Sequence, residues 1–389
     1  MTRTPKVALL VETSRGYGRA LLRGVVRYAR LHGPWAFHLR PGDFLQDVPR
    51  IREWGGTGII ARIETPAVAR AVLRAGVPTI ALDLAEAERA AGHPLSRLSE
   101  VASDSRGAAR LAAGHLLERG FRHFAFVGTP GRVWSDRREA AFAERLAEAG
   151  FPVAVYRPPR AKRGMAAERE QPHLARWLAA LPRPSGVMAC HDDRGREVLG
   201  ACRAAGLAVP EEVAVVGVDD DELLCELADP PLSSVALDAE QGGYRAAELL
   251  DQMMRGRIRS PRRLLVEPLH VVARRSTDVV APEDAEIAAA VRFIHDHAAE
   301  GIGVADVVAD RLLSRRALEI RFRKALGRSP HEEIQRVRLE RACRLLRETD
   351  LAIPRVAEAA GYGRASYLAQ VFRQHLGTTP ARYRRTHRT

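Results

Sequence analysis

Between residues 7 and 238 the chain repeats one kind of short phrase: VALLVE (7–12), GIIARI (58–63), VPTIALD (77–83), HFAFVG (123–128), VAVYR (153–157), GVMAC (186–190), VAVVGVD (213–219) and SVALD (234–238). Each is a continuous apolar, mostly β-branched run, too short for a helix and lacking the alternation of a strand with one wet face. Most are separated by amphipathic segments of helical period, such as GRALLRGVVRYARLHG and SRGAARLAAGHLLERG. Strands buried on both faces and alternating with helices specify parallel sheets covered by helices on either side. The expected fold of residues 1–278 is α/β with parallel sheets.

In such sheets ligands gather beyond the carboxyl ends of the strands. Here several of those ends are polar: Glu12-Thr13-Ser14-Arg15, Ser103-Asp104, His191-Asp192-Asp193-Arg194 and Asp219-Asp220-Asp221. Carboxylates and guanidinium groups converging on one cleft suit a polyhydroxylated ligand, because every hydroxyl both donates and accepts. Taken singly, each aspartate serves equally well as a cap for the helix that follows. The chain has no Gly-rich phosphate loop, no G-x-S-x-G elbow and no paired Cys/His spacing, so neither catalysis, cofactor nor metal is implied. Its four cysteines, Cys190, Cys202, Cys225 and Cys343, stand apart, as expected of buried thiols in a reducing cytoplasm. Five apolar residues before Glu12 are too few for a secretion signal or a membrane span.

The stretches LSEVASDSRGAARLAAGHLLERGFRHFAFVG (98–128), VWSDRREAAFAERL (133–146), GVMACHDDRGREVLGACRAAGLAVPEEVAVVGVDDDEL (186–223) and LHVVARRSTD (269–278) resemble the effector domains of the lac/Gal repressor family. That resemblance covers roughly residues 6–278. It implies a periplasmic-binding-protein-like fold of two α/β lobes with a sugar between them. The family's ligand positions fall on Asp104, Arg138, Asp192, Arg194, Asp219 and Asp220, with Tyr17 and Arg19 as further candidates after the first strand. Such repressors open with a DNA-binding headpiece, whereas this sequence starts directly at the first strand. The segment AKRGMAAEREQPH (161–173) offers no aromatic ring for a sugar face.

After the polar, proline-containing stretch 279–286, expected to be a linker, the pattern of residues 287–389 is wholly helical. The charge also changes. Residues 285–389 hold 20 basic and 12 acidic residues, or +8 of the chain's +13. An arginine-rich terminal module suggests a polyanionic partner. One phrase is written twice here: Phe322, Leu326, Gly327 and Pro330 recur as Phe372, Leu376, Gly377 and Pro380. Each copy reads as a short helix, a turn and an amphipathic helix. Val307 matches Val356 at an offset of 49 and Phe322 matches Phe372 at 50, so the second turn is one residue longer, and Gly361 can take the left-handed conformation there. Leu318, Phe322 and Leu326, like Leu368, Phe372 and Leu376, form the expected core faces. Arg315, Arg316 and Glu319 in one copy, and Arg364, Ser366 and Gln370 in the other, remain to read base edges. Between the copies, Ile334, Val337, Ala342 and Leu345 mark the buried stripe of a connecting helix. About 17 helical residues span roughly 25 Å, enough to set two reading helices about one DNA turn apart. The combination S-R-x-x-L-x-x-x-F, R-L-x-R-A-x-x-L-L and G-x-x-x-Y-L-x-x-V-F…G-T-T-P-x-x-Y-R-R is similar to the AraC/XylS-type DNA-binding domain.

A repressor-type sensor ahead of an AraC-type reader resembles regulators of pentose-utilisation operons. This implies a cytoplasmic, homodimeric, sugar-responsive transcription regulator, expected to be an activator, with double-stranded DNA and an aldopentose, D-xylose first, as partners. Two alternatives remain at this level: a cytoplasmic sugar-binding protein, and a constitutive architectural DNA binder with a vestigial sensor.

Overall fold

The computed structural model describes residues 4–43, 55–158, 167–278, 284–309, 311 and 313–387. The linker expectation at 279–283 and residues 161–166 of the stretch 161–173 therefore lie outside the described residues. Described residues up to Asp278, apart from Arg119–Phe121, form one compact unit, and those from Asp284 onward form another.

The first unit holds β1 (Lys6–Leu10), β2 (Ala36–Leu39), β3 (Gly58–Arg62), β4 (Thr79–Leu82), β5 (Ser99–Ser103), β6 (His123–Val127), β7 (Val153–Val155), β8 (Ser185–Ala189), β9 (Val213–Asp219), β10 (Ser233–Leu237), β11 (Arg263–Val266) and β12 (Pro268–Val272). They form two six-stranded sheets, ordered β11-β5-β4-β3-β1-β2 and β12-β10-β9-β8-β6-β7. Pairing is parallel throughout except between β10 and β12. All the apolar runs read from the sequence are strands. β2, β5, β11 and β12 were missed. β5 is the instructive one, because SEVAS is polar and yet wholly buried. Its Ser99 hydroxyl accepts from Arg262 N at 3.1 Å, and Glu100 accepts from Leu84 N at 3.0 Å and pairs with Arg263.

The chain passes between the sheets after β5, after β10 and between β11 and β12. These passages are stitched together: Asp104 N donates to Val266 O and Asp238 N to Glu267 O, each at 2.9 Å. The result is two lobes joined by adjacent crossings, with strand carboxyl ends facing a common cleft. Helix Gly16–His32 and helix Ala239–Met254 pack at close range in the first lobe. A Cβ on Gly24 would lie 1.9 Å from Glu240 O, and one on Gly243 would lie 1.9 Å from Leu21 O.

The second unit contains helices Ala285–His297, Val304–Ala309, Arg315–Leu326, Pro330–Glu348, Ile353–Ala359, Ala365–Leu376 and Pro380–His387. Both copies of the repeated phrase close in the same way, on Gly327 and Gly377 with φ of +68° and +61°. Leu318, Phe322, Leu368 and Phe372 are fully buried, but Leu376 at the last turn is 40% exposed. On the connecting helix Ile334 and Ala342 are buried and Val337 and Leu345 only half-buried, while Glu333 and Arg338 are buried beside them. Glu333 collects Arg336 at 2.8 Å, His295 at 3.2 Å and Arg328. Burial alone would raise its pKa, but the surrounding cations hold it far below the usual carboxylate range.

Because backbone carbonyl oxygens stand where the new methyl group would go, Gly243→Ala should destabilise the α/β unit by about 1–3 kcal/mol. Gly114→Ala, at a helical glycine with open space around its Cβ position, should be neutral or stabilising. Thermal melts of the two variants check the contrast.

Candidate functional site

The cleft holds a small, partly open pocket of about 20 Å³, well below the usual range for small-molecule sites. Its first-lobe wall follows from sheet order. Adjacent strands β5, β4, β3 and β1 end at or next to Ser103, Asp83, Arg62 and Glu12, and these side chains form one hydrogen-bonded row. Ser103 donates to Asp83 Oδ1 through its amide at 2.8 Å and its hydroxyl at 3.1 Å. Arg62 donates to Asp83 Oδ2 at 3.0 Å and makes a two-pronged contact with Glu12 at 2.9 Å on each oxygen. All of them are buried. Burial would lower the Arg62 pKa, but Glu12 and Asp83 raise it well above its ordinary value. Burial would likewise raise Asp83, and Arg62 with Ser103 brings it below the usual range. Both groups are therefore charged.

Tyr17 borders the same wall. Its buried hydroxyl has no hydrogen-bond partner among the described residues. Burial and then Asp83 push its pKa well up, so the phenol keeps its proton and is free to donate.

The second lobe contributes Trp134, Arg138, His191 and Asp219. Arg138 donates to Cys190 O and to Asp219 Oδ1 at 3.4 Å, and its guanidinium lies 5.5 Å from the Trp134 ring centroid. The His191 ring sits 5.2 Å from Trp134. Its Nδ1 accepts from Arg194 N at 2.9 Å and caps the helix Asp192–Ala204. Burial and then Arg15 lower its pKa well below the ordinary value, so the ring is neutral and its proton belongs on Nε2. That atom lies 3.2 Å from Arg15 Nη1. Both residues line the pocket. Asp83 and Asp219 have φ of +50° and +105°, values that β-carbon-bearing residues rarely adopt and that gather at functional sites.

Besides the approach of Arg15 to His191, further polar contacts among the described residues join the lobes across the cleft. Arg15 reaches Asp193 at 2.7 Å, Arg137 donates to Leu84 O at 2.7 Å, and Arg19–Asp221 and Arg132–Glu64 are ion pairs.

Among the residues expected from sequence, Tyr17, Arg138 and Asp219 line the cavity. The structure gives the other five different partners. Asp104 accepts from Gly107 N at 2.9 Å and so caps the helix Ser105–Glu118 at the lobe crossing. Asp192 accepts from Ser234 Oγ and Asp221 N, bracing the ends of β9 and β10. Arg194 turns to Glu170 and Glu197 and lies over Tyr156. Asp220 takes Arg274 at 2.8 Å. Arg19 stands at the rim, between Thr13 O and Asp221. Each of these five groups has a hydrogen-bond or ion-pair partner within the protein.

In the helical unit Arg315, Arg316, Arg364, Ser366 and Gln370 are exposed and Glu319 is half-exposed. Glu319 accepts from Arg315 Nε at 3.2 Å, one turn away. Arg364 is the N-cap residue of helix Ala365–Leu376, with Ser366 and Gln370 following on its open side. Ile320 and Tyr367 share this exposure at 59% and 39%.

Residues 6–105 match the family model of the XylR N-terminal domain, 113–277 that of a periplasmic binding protein-like domain, and 309–386 that of a helix-turn-helix domain. The chain is 33% identical over 392 residues to the xylose operon regulatory protein of Escherichia coli strain K12, across 98% of this chain and 97% of that one. The chain belongs to the xylose operon regulatory protein family. The relative from Haemophilus influenzae is 31% identical over 383 residues, covering 97% of this chain and 98% of its own. The solved structure of the xylose-binding transcription activator XylR matches with a TM-score of 0.75 and 31% identity, over 100% of both chains. As a member of this family the chain is a DNA-binding transcription regulator.

The carboxyl-end rule could have found more of the cleft. The runs GIIARI and VPTIALD contain or close on Arg62 and Asp83, and VWSDRREAAFAERL supplies the aromatic face in Trp134. His191 and Arg15 stood within the polar strand ends but were passed over for their acidic neighbours.

Burial raises Asp219 to about 6 from an ordinary 3.8, so the folded state holds a proton that the unfolded state releases. Between these values wild-type stability falls as pH rises, and above 6 the loss is complete. Asp219→Asn should therefore gain thermal stability relative to wild type above pH 6, with the gain shrinking toward pH 4. Melts of both proteins across this range check the sign.

Proposed function

We infer that the chain is a sugar-responsive transcription activator of pentose utilisation, with D-xylose as the leading effector. The observation that carries this reading is the buried row Ser103–Asp83–Arg62–Glu12 facing Trp134, Arg138 and Asp219 across the pocket between the lobes. Charged acceptors and donors alternate around it, and an indole face borders it. That is the pattern a small polyol requires, with carboxylates taking hydroxyl protons and guanidinium groups meeting hydroxyl lone pairs. Similarity to proteins named for xylose points to the same ligand.

The chain performs no turnover in this reading. Ligand bridges the lobes, adding to the contacts of Arg15, Arg19, Arg132 and Arg137, and so favours the closed arrangement by its differential affinity for it. In the cytoplasm two protomers pair, and closure changes how their reading heads meet DNA. Arg315, Arg316 and Glu319 read one major-groove segment, and Arg364, Ser366 and Gln370 read the next. Residues 1–278 act as sensor, 279–286 as linker and 287–389 as reader. Among the described residues no helix is long and apolar enough to cross a membrane.

D-Xylose at 100 times its Kd should stabilise the sensor by about 2.7 kcal/mol, visible as a raised melting temperature. Trp134→Ala should abolish the shift. A wild type unmoved by any aldopentose would favour a constitutive DNA binder, and conversion of the sugar to product would point to an enzyme. Arg316→Ala should lose base discrimination worth about 1–3 kcal/mol in binding to single-base operator variants. An unchanged preference would remove Arg316 from the reading face.

A further inference from the structure

We propose that a joint of Arg338, Gly361 and the turn at Ala298–Ile302 sets the spacing between the two DNA segments that the helix-turn-helix copies read. The proposal rests on the reading that both copies engage one duplex.

The connecting helix Pro330–Glu348 presents Gln335, Arg338 and Arg341 three residues apart, hence along one side. Two of them hold the second copy. Arg341 Nε donates to Ala359 O at 2.8 Å, and Gln335 Nε2 donates to Tyr367 Oη at 3.1 Å. The Tyr362 hydroxyl donates to Gln335 O at 3.4 Å. Arg338, only 7% exposed, reaches the first copy. Its Nε donates to Ala298 O at 2.9 Å and its Nη2 to Ile302 O at 2.6 Å. Those carbonyls belong to the turn that leads directly into helix Val304–Ala309, the opening helix of the first copy.

Gly361 closes the joint from the other side. It lies in the second copy's turn with φ of +82°. A Cβ there would stand 2.2 Å from Ala298 O, 2.9 Å from Arg338 Nε and 3.1 Å from Ala299 Cα. The second copy's turn therefore rests directly on backbone that feeds the first, with the Arg338 guanidinium wedged between.

A buried, planar guanidinium fixed by two carbonyls is directional, and Gly361 adds a contact with no side chain to give. Rotation of one copy about the other would break both. Inserting one base pair shifts the second segment by about 3.4 Å along the axis, which a rigid pair of heads cannot follow. Arg338 and Gly361 thus act as positioning residues without touching bases.

The test uses the full chain and duplexes carrying the footprinted two-segment site with zero, one or two base pairs inserted or deleted between the segments. Wild type should show one sharp optimum, with each single step costing about tenfold or more in affinity, the equivalent of 1.4 kcal/mol. Arg338→Gln and Gly361→Ala, approaching the joint from its two sides and checked for native circular dichroism, should flatten that penalty to about twofold or move the optimum by one base pair. Arg338→Lys should recover none of the lost discrimination, because an ammonium cannot match the two-carbonyl fork. Variants that bind more weakly at every spacing but keep the wild-type profile would overturn the joint as a spacing device. A wild type indifferent to spacing would instead remove the two-segment reading itself.

Discussion

The sensor depends on a cation buried at the end of β3. Arg62 stands between Glu12 and Asp83 because its strand stands between theirs; the two carboxylates offset its burial, and it in turn holds Asp83 below the usual range. Removing one member of such a set strands the rest in a low-dielectric site, commonly at a cost of 3–5 kcal/mol. The row is more than internal support. Its residues line the pocket that Tyr17 and Trp134 also border. Sheet order, charge balance and ligand chemistry are thus one constraint: parallel strands deliver polar ends side by side, and burial obliges those ends to pair.

The reading unit solves a different problem with the same economy. Each helix-turn-helix is too small to hold a fixed pose alone. The long connector supplies the missing order through Glu333, which gathers Arg336 from its own helix, Arg328 and the His295 ring, and through Arg338, which meets both copies. Burial of these charged groups on a helix whose apolar stripe is incomplete shows where the stability of the connector lies. It comes from directional polar contacts as much as from hydrophobic packing.

Much of this was legible in the chain itself. Continuous β-branched runs identified the parallel strands, because a strand buried on both faces has no polar option on either. The repeated Phe, Leu, Gly and Pro identified the paired reading heads, because a helix closing on a left-handed glycine leaves a fixed mark. What escaped was polar and buried. SEVAS reads as a loop until Arg262, Arg263 and Leu84 N are in place to satisfy it. Asp104, Asp192, Arg194 and Asp220 looked like ligand groups because sequence shows a residue's type and place but not its nearest partner. Arg62 and Asp83 were overlooked for the converse reason, since a charge at the end of an apolar run looks like the start of solvent. Arg338 lay within a quoted motif, yet its two carbonyl partners are 36 and 40 residues away.

In the proposed function a sugar held in the first unit alters DNA binding by the second. Linkage requires such coupling to be reciprocal, with typical factors of about 5–150. The most direct measurement is a calorimetric titration of D-xylose into the free protein and into protein saturated with its footprinted operator. The account predicts that DNA tightens D-xylose binding by at least about fivefold, and that D-xylose tightens DNA binding by the same factor. Equal sugar affinities with and without DNA would contradict it.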